Sequence, residues 1–217
     1  MRLAIDCTPF RRGRVGGYED YLFNLLDGLA ALDLGDSTID LFVLDSQREH
    51  FDAYRSRFGL RAMRDGGLLW RVLWQNTRLP WLSRRYSAMV FTGNVRPWFM
   101  GSPSVTVIHD LQYRRFPELW PKAHLWHRKL FVPRSVRRST AVVALSRTAA
   151  AEITAEFGRQ AIDVCGQAIR ISRGVDSSAA AAVAPQDAGA ELEQLGVTEP
   201  FLLVPSALAG HKNLANL

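Results

Sequence analysis

Cysteine and lysine are both scarce. Only Cys7 and Cys165 occur in 217 residues, far apart, so there is no disulfide framework and no metal or redox spacing, and the pair suits a reducing cytoplasm. Of 27 basic residues only Lys122, Lys129 and Lys212 are lysine; the other 24 are arginine. That bias fits a GC-rich gene and fits phosphate recognition equally, because the guanidinium fork matches phosphate oxygens. No run reaches 18 uncharged apolar residues, which argues against a membrane-spanning helix. Leu3–Ile5 is stopped at once by Asp6, far short of a secretory core. No internal repeat is visible.

What remains is ordinary globular material, 47% hydrophobic and 22% charged with a formal net charge of +6, which excludes wholesale disorder and a collagen-like fibre. At roughly 150 residues per domain the length corresponds to about one and a half domains.

Strand and helix signals alternate. Arg2–Asp6 is a short apolar run, followed by the basic, turn-rich stretch Thr8–Gly17. From Tyr18, apolar residues recur at three- and four-residue steps through Ala30, with Glu19, Asp20, Asn24 and Asp27 on the other face. Gly35 closes that helix and Ile39–Leu44 reads as a second strand, completing a parallel crossover unit. Residues 47–58 look helical, as do 68–85 until Pro80 breaks the pattern. Ala88–Phe91, Val105–Ile108 and Ala141–Leu145 read as strands, with a long helix over 117–138. Ser146 stands as the N-cap of a helix running to Phe157. The expected fold class is therefore α/β, a doubly wound Rossmann-like parallel sheet. Residues 1–176 form that domain. Residues 177–198 are a connector, low in complexity over 177–190. Residues 199–217 read as the first strand and helix start of a second, truncated domain.

Four features carry possible chemistry. Gly16 and Gly17 join the first strand to the first helix, at the sheet edge where such folds bind ligands; free N–H groups and the positive helix end there favour an anion. Arg11, Arg12 and Arg14 add charge. The spacing is neither Gly-x-Gly-x-x-Gly nor a P-loop, and a flexible turn with solvated arginines is the plainer alternative. His109-Asp110 follows a strand directly, where an imidazole can hydrogen-bond a hydroxyl or serve as a structural histidine. His211-Lys212-Asn213 puts a lysine near a helix start, a local misfit that an anion would explain and that solvent exposure explains as well. Residues 55–86 carry eight arginines against Asp65, with Trp70, Trp74 and Trp81. Residues 114–138 carry eight basic groups against Glu118, with Trp120 and Trp126. Basic helices with tryptophan suit an anionic membrane surface better than nucleic acid, which is not expected as a partner. His124 and His127, three apart, are read as surface or packing residues, and no metal site is expected.

Together these signals resemble, in order, the amino-terminal half of a family-4 glycosyltransferase of the GT-B type. The landmarks are Gly16-Gly17-Tyr18, Val90–Pro97, Val107–Leu111 leading to Phe116-Pro117-Glu118, Val143–Arg147, Gly174-Val175-Asp176, Phe201–Ser206 and His211-Lys212-Asn213. The resemblance implies a retaining enzyme with an acceptor-side first domain and a nucleotide-sugar donor domain, transfer taking place between them. By position, Gly16 and Gly17 would approach the donor diphosphate. His109 would contact the transferred sugar, and Lys212 with Ser206 would neutralise the leaving diphosphate. Tyr18, Asp110 and Arg147 are further candidates for contacts to acceptor or sugar. The family typically needs no metal or other cofactor, which agrees with the absence of an Asp-x-Asp motif.

The expected function is transfer of a sugar from a nucleotide sugar to a lipid-linked or saccharide acceptor in cell-surface polysaccharide synthesis, including lipopolysaccharide. The expected location is the cytoplasm, peripheral on the inner face of the cell membrane. Because the paired acidic motif and the base and ribose pocket of that family lie in its second domain, the chain alone is expected to be inactive. Two rivals stand beside this reading. One is an NAD-type Rossmann oxidoreductase using Asp45 at the end of the second strand; the other is a non-catalytic membrane-surface binding module.

Overall fold

The computed structural model describes residues 1–13, 17–167, 192–194 and 196–197. The chain divides into two units, Met1–Ala168 and Ile169–Leu217. In the second unit, the described residues form one short helical turn.

The first unit alternates as the sequence pattern requires. It runs β1 (Arg2–Asp6), α1 (Tyr18–Ala31), β2 (Thr38–Leu44), a 3-10 run over Asp45–Tyr54, β3 (Gly59–Met63), α2 (Leu68–Ser83) and β4 (Ala88–Phe91). It continues with β5 (Ser104–Ile108), α3 (Gln112–Arg115), a 3-10 turn at Pro117–Leu119, α4 (Lys122–Arg138), β6 (Ala141–Ala144), α5 (Arg147–Phe157) and β7 (Asp163–Val164). The seven strands form one sheet in the order β3-β2-β1-β4-β5-β6-β7, with every pairing parallel. The order reverses between β1 and β4, so the sheet is doubly wound, as expected.

Strand alternation fills both faces. On one, Ile5, Ile39, Leu41 and Val43 pack with Leu22, Phe23 and Leu26 of α1 and with Phe51 and Tyr54. On the other, Ala4, Phe42, Met89 and Phe91 meet Leu79 of α2 and Tyr86. Further along, Ile108, Val142 and Ala144 meet Val132 and Val136 of α4 and Ile153 of α5. Asp40 is the one carboxylate of β2 and is buried. It accepts hydrogen bonds from Arg2 at 2.7 Å, Tyr86 at 2.7 Å and Arg61 at 3.2 Å. Burial pushes its pKa up, but these bonds outweigh burial and hold it below the ordinary value.

Three expectations change. Pro80 does not end α2, which runs to Ser83. Leu79 is buried beneath it, while the Ser83 hydroxyl donates to the Pro80 carbonyl at 2.8 Å and accepts from Gly101 N at 2.9 Å. The expected helix over 117–138 is divided, with α4 starting only after Pro121. The short strands β3 and β7 and the single turn α3 have no counterpart in the sequence reading. Ser146 does cap α5, accepting from Ala149 N at 3.0 Å.

Candidate functional site

A cleft of about 510 Å³ opens at the carboxyl edge of the sheet. Its lining comes from the ends of β1 (Asp6, Pro9), β4 (Gly93, Asn94) and β5 (His109, Asp110), the first turns of α1 (Tyr18, Glu19) and α2 (Gly67, Leu68, Arg71), and α4 (His124, His127, Arg128). The reversal of strand order between β1 and β4 creates this crevice, the usual ligand position in an open α/β sheet.

His109 is held on it by two hydrogen bonds. Its backbone N–H donates to Asn94 Oδ1 at 2.7 Å, and its Nε2 lies 2.7 Å from the Thr92 carbonyl. A carbonyl only accepts, so Nε2 carries a proton. Burial lowers the imidazole pKa below its usual value, against the bond to Thr92. The ring is therefore neutral near pH 7 and its lone pair sits on Nδ1, a hydrogen-bond acceptor suited to a substrate hydroxyl. Tyr21 packs edge-on at 4.8 Å between ring centres, and Tyr18 lies at 5.6 Å.

The floor beneath is a chain of hydroxyls. The Thr92 hydroxyl donates to the Asp6 carbonyl at 2.8 Å, so in the 2.6 Å contact between Tyr18 and Thr92 the phenol is the donor. Burial raises the Tyr18 pKa well above its normal value. The buried Asp6 carboxylate accepts from Thr8 N and Oγ1 and from Gln75 Nε2. Burial nonetheless raises its pKa. Gly93 is fixed by close approach: a Cβ there would stand 2.6 Å from Pro9 Cγ. Asn94, next to it, holds φ at 70°, where asparagine is among the few tolerated residues.

The other sequence candidates fall as follows. Tyr18 and Asp110 line the cleft with His109; Asp110 Oδ1 also accepts from Gln112 N at 3.0 Å, fixing the turn into α3. Gly17 caps α1 with φ 70°, directly before Tyr18, and its carbonyl accepts from Tyr21 N and Gln167 Nε2. Arg147 is exposed at the start of α5, away from the cleft lining. Arg11 reaches the cleft and donates to the Thr8 and Phe10 carbonyls; Arg12 faces Glu19 at 3.5 Å. Gly16, Arg14, Ser206, Lys212 and the connector 177–190 lie outside the described residues. Asp45 is exposed and borders a separate shallow depression on the 3-10 run.

Sequence reasoning gave no site role to Asp6, Gln75, Asn94, Arg71 or Arg128, and it read His124 and His127 as surface or packing residues. The available signals were Gly-Asn directly after a strand and a basic triplet at helical spacing on one face. Among the described residues no three His, Cys, Asp or Glu side chains gather as a metal site, and no helix is long and apolar enough to cross a membrane. The outer faces of α2 and α4 expose large apolar side chains, with Leu69 at 85% and Trp126 at 73%, beside Leu73, Trp81 and Leu130.

Neither a family model nor a curated protein matches the sequence. Solved structures do. The chain is similar to HepE (Alr3699) of Anabaena crystallised with UDP and glucose, at TM-score 0.54 and 16% identity over 90% of this chain and 50% of that one. A second structure of the same protein, with UDP, gives TM-score 0.52 at the same identity and coverage. The likeness is one of fold, and the chain spans about half the length of the structures it matches.

Proposed function

We propose that this chain is the acceptor-side half of a retaining, GT-B type glycosyltransferase of family 4, moving a sugar from a nucleotide sugar to a lipid-linked or saccharide acceptor in cell-surface polysaccharide synthesis, such as that of lipopolysaccharide. The observation that carries it is His109, a neutral imidazole locked by Asn94 and Thr92 at the end of β5, on a cleft at the sheet's reversal point. The likeness to a fold that holds UDP and glucose in HepE supports the same reading.

In this reading Nδ1 of His109 accepts a hydrogen bond from a hydroxyl of the sugar being transferred and orients it, without adding charge. Departure of the diphosphate develops negative charge, and Lys212 with Ser206 meets it; a positioned cation of this kind stabilises the transition state directly. Gly16 and Gly17 allow the diphosphate close to backbone N–H groups. Tyr18 and Asp110 shape the acceptor side. The exposed apolar residues on α2 and α4, set among arginines and lysines, support a peripheral position on an anionic membrane, the cytoplasmic face of the cell membrane in this reading.

Isothermal titration tests the assignment against its rivals. The protein binds a short-chain isoprenyl-phosphate saccharide, His109→Ala weakens that binding at least tenfold, and NAD gives no heat. Binding of NAD without any saccharide would move the assignment to an oxidoreductase, although the exposed position of Asp45 off the cleft favours the transferase. Adsorption to anionic vesicles without any saccharide binding would leave only a membrane-surface module.

A further inference from the structure

One wall of the cleft is built from two guanidinium groups and two imidazoles. Arg71 stands in the first turns of α2, and His124, His127 and Arg128 stand in the first two turns of α4; all four line the cleft that holds His109. The spacing 124, 127, 128 puts the α4 groups on a single face. The cleft's carboxylates come from its other elements, Asp6 on β1, Glu19 on α1 and Asp110 after β5.

Two of these groups are held in place by rings. The Arg128 guanidinium lies 4.3 Å above Trp120, which lines the same cleft. His127 stacks on Phe131 with centres 4.6 Å apart. Burial first, then Arg71, Arg128 and His124, push the His127 pKa down to about 4. Arg128 also acts to lower that of His109. Arg71 also acts on the buried Asp6 and favours its charged form against burial, so this wall favours a negative group in the cleft.

We infer that Arg71, His124, His127 and Arg128 form an anion subsite that takes a phosphate group of the ligand bound beside His109. The guanidinium groups supply charge and paired donors that fit phosphate oxygens, and the imidazoles supply N–H donors. The inference deepens the transferase reading and rests on it for the identity of the neighbouring saccharide. The shared chemistry is a phosphate ester, which either the acceptor's lipid phosphate or a nucleoside diphosphate can provide.

The test measures affinity for an isoprenyl-phosphate saccharide, the same saccharide without phosphate, UDP and inorganic phosphate, using the wild-type protein, Arg71→Gln/Arg128→Gln and Arg128→Lys. The wild type is expected to prefer the phosphorylated saccharide over the neutral one by at least tenfold. The double variant loses that preference, and Arg128→Lys keeps part of it. UDP competing while the isoprenyl phosphate shows no preference would support the subsite and assign it to the nucleotide; the reverse assigns it to the acceptor. No preference for phosphate in any ligand overturns the subsite, as does an equal loss for neutral and phosphorylated saccharide in the double variant. In both of those cases saccharide binding by the wild type leaves the transferase reading standing. Phosphate-dependent binding of inorganic phosphate alone, with neither saccharide nor UDP bound, supports the subsite and removes the transferase reading.

Discussion

At the scale of single residues, His109 depends on its neighbours more than on itself. Asn94 supplies both the left-handed turn and the acceptor for the His109 N–H. Asn94→Ala should therefore cost about 1–3 kcal/mol, leaving a donor unpaired in a left-handed turn, and urea unfolding reads it directly. Gly93→Ala drives a methyl against Pro9 and should cost about 1–3 kcal/mol by overpacking. Acid titration reports on the titrating groups. His127 and His109 have folded pKa values below the unfolded value, so the stability tied to their neutral forms is complete above about pH 6.5 and declines as pH falls; for His127 the decline runs down to about 4. Asp40 lies below the ordinary carboxylate value, so its contribution is complete above about pH 3.9 and is lost on further acidification. Asp6, whose pKa is raised, acts oppositely and gains stability as it protonates, so the two stages are read as the difference between wild type and variant: His127→Gln should shrink the upper one. An unchanged upper stage in that variant would mean His127 is not held neutral by its surroundings.

At the scale of elements, α2 and α4 carry two jobs on different faces, cleft lining on one and exposed apolar residues on another. Leu69→Ser with Trp126→Ser should reduce sedimentation with anionic vesicles severalfold while leaving the unfolding midpoint nearly unchanged, because both side chains already face solvent. The same helices show how far local pattern reaches. The parallel alternation and the cap at Ser146 were legible because hydrophobic period and capping chemistry are local. Pro80 misled, since burial of Leu79, the Ser83 bond to the Pro80 carbonyl and the contact from Gly101 support the helix past it. His109 could be placed from the apolar strand before it. Arg71, His127 and Arg128 could not, because they meet only when α2 and α4 are folded over the same sheet edge. β3 reads poorly because Gly59–Met63 is mostly exposed and carries Arg61, which pairs with the buried Asp40 of the neighbouring strand.

At the scale of the whole molecule, the sheet order fixes where a ligand lies, and the residues collected there narrow what it is. Reversal between β1 and β4 brings His109, Asn94 and Tyr18 to one crevice, and α2 and α4 add Arg71 and Arg128 to its wall. On the transferase reading, Lys212→Ala in a form that turns over should cost about 2–4 kcal/mol in transition-state stabilisation, like the loss of one oxyanion donor; an unchanged catalytic rate would remove Lys212 from the reaction. The most direct measurement is an NMR titration of this protein with an isoprenyl-phosphate saccharide, following backbone amides and the His109 ring. The account predicts saturable shifts at Tyr18, Asn94, His109 and Arg128, with the Asp45–Tyr54 run unaffected. Shifts confined to that 3-10 run, or none at His109 under saturating ligand, would contradict it.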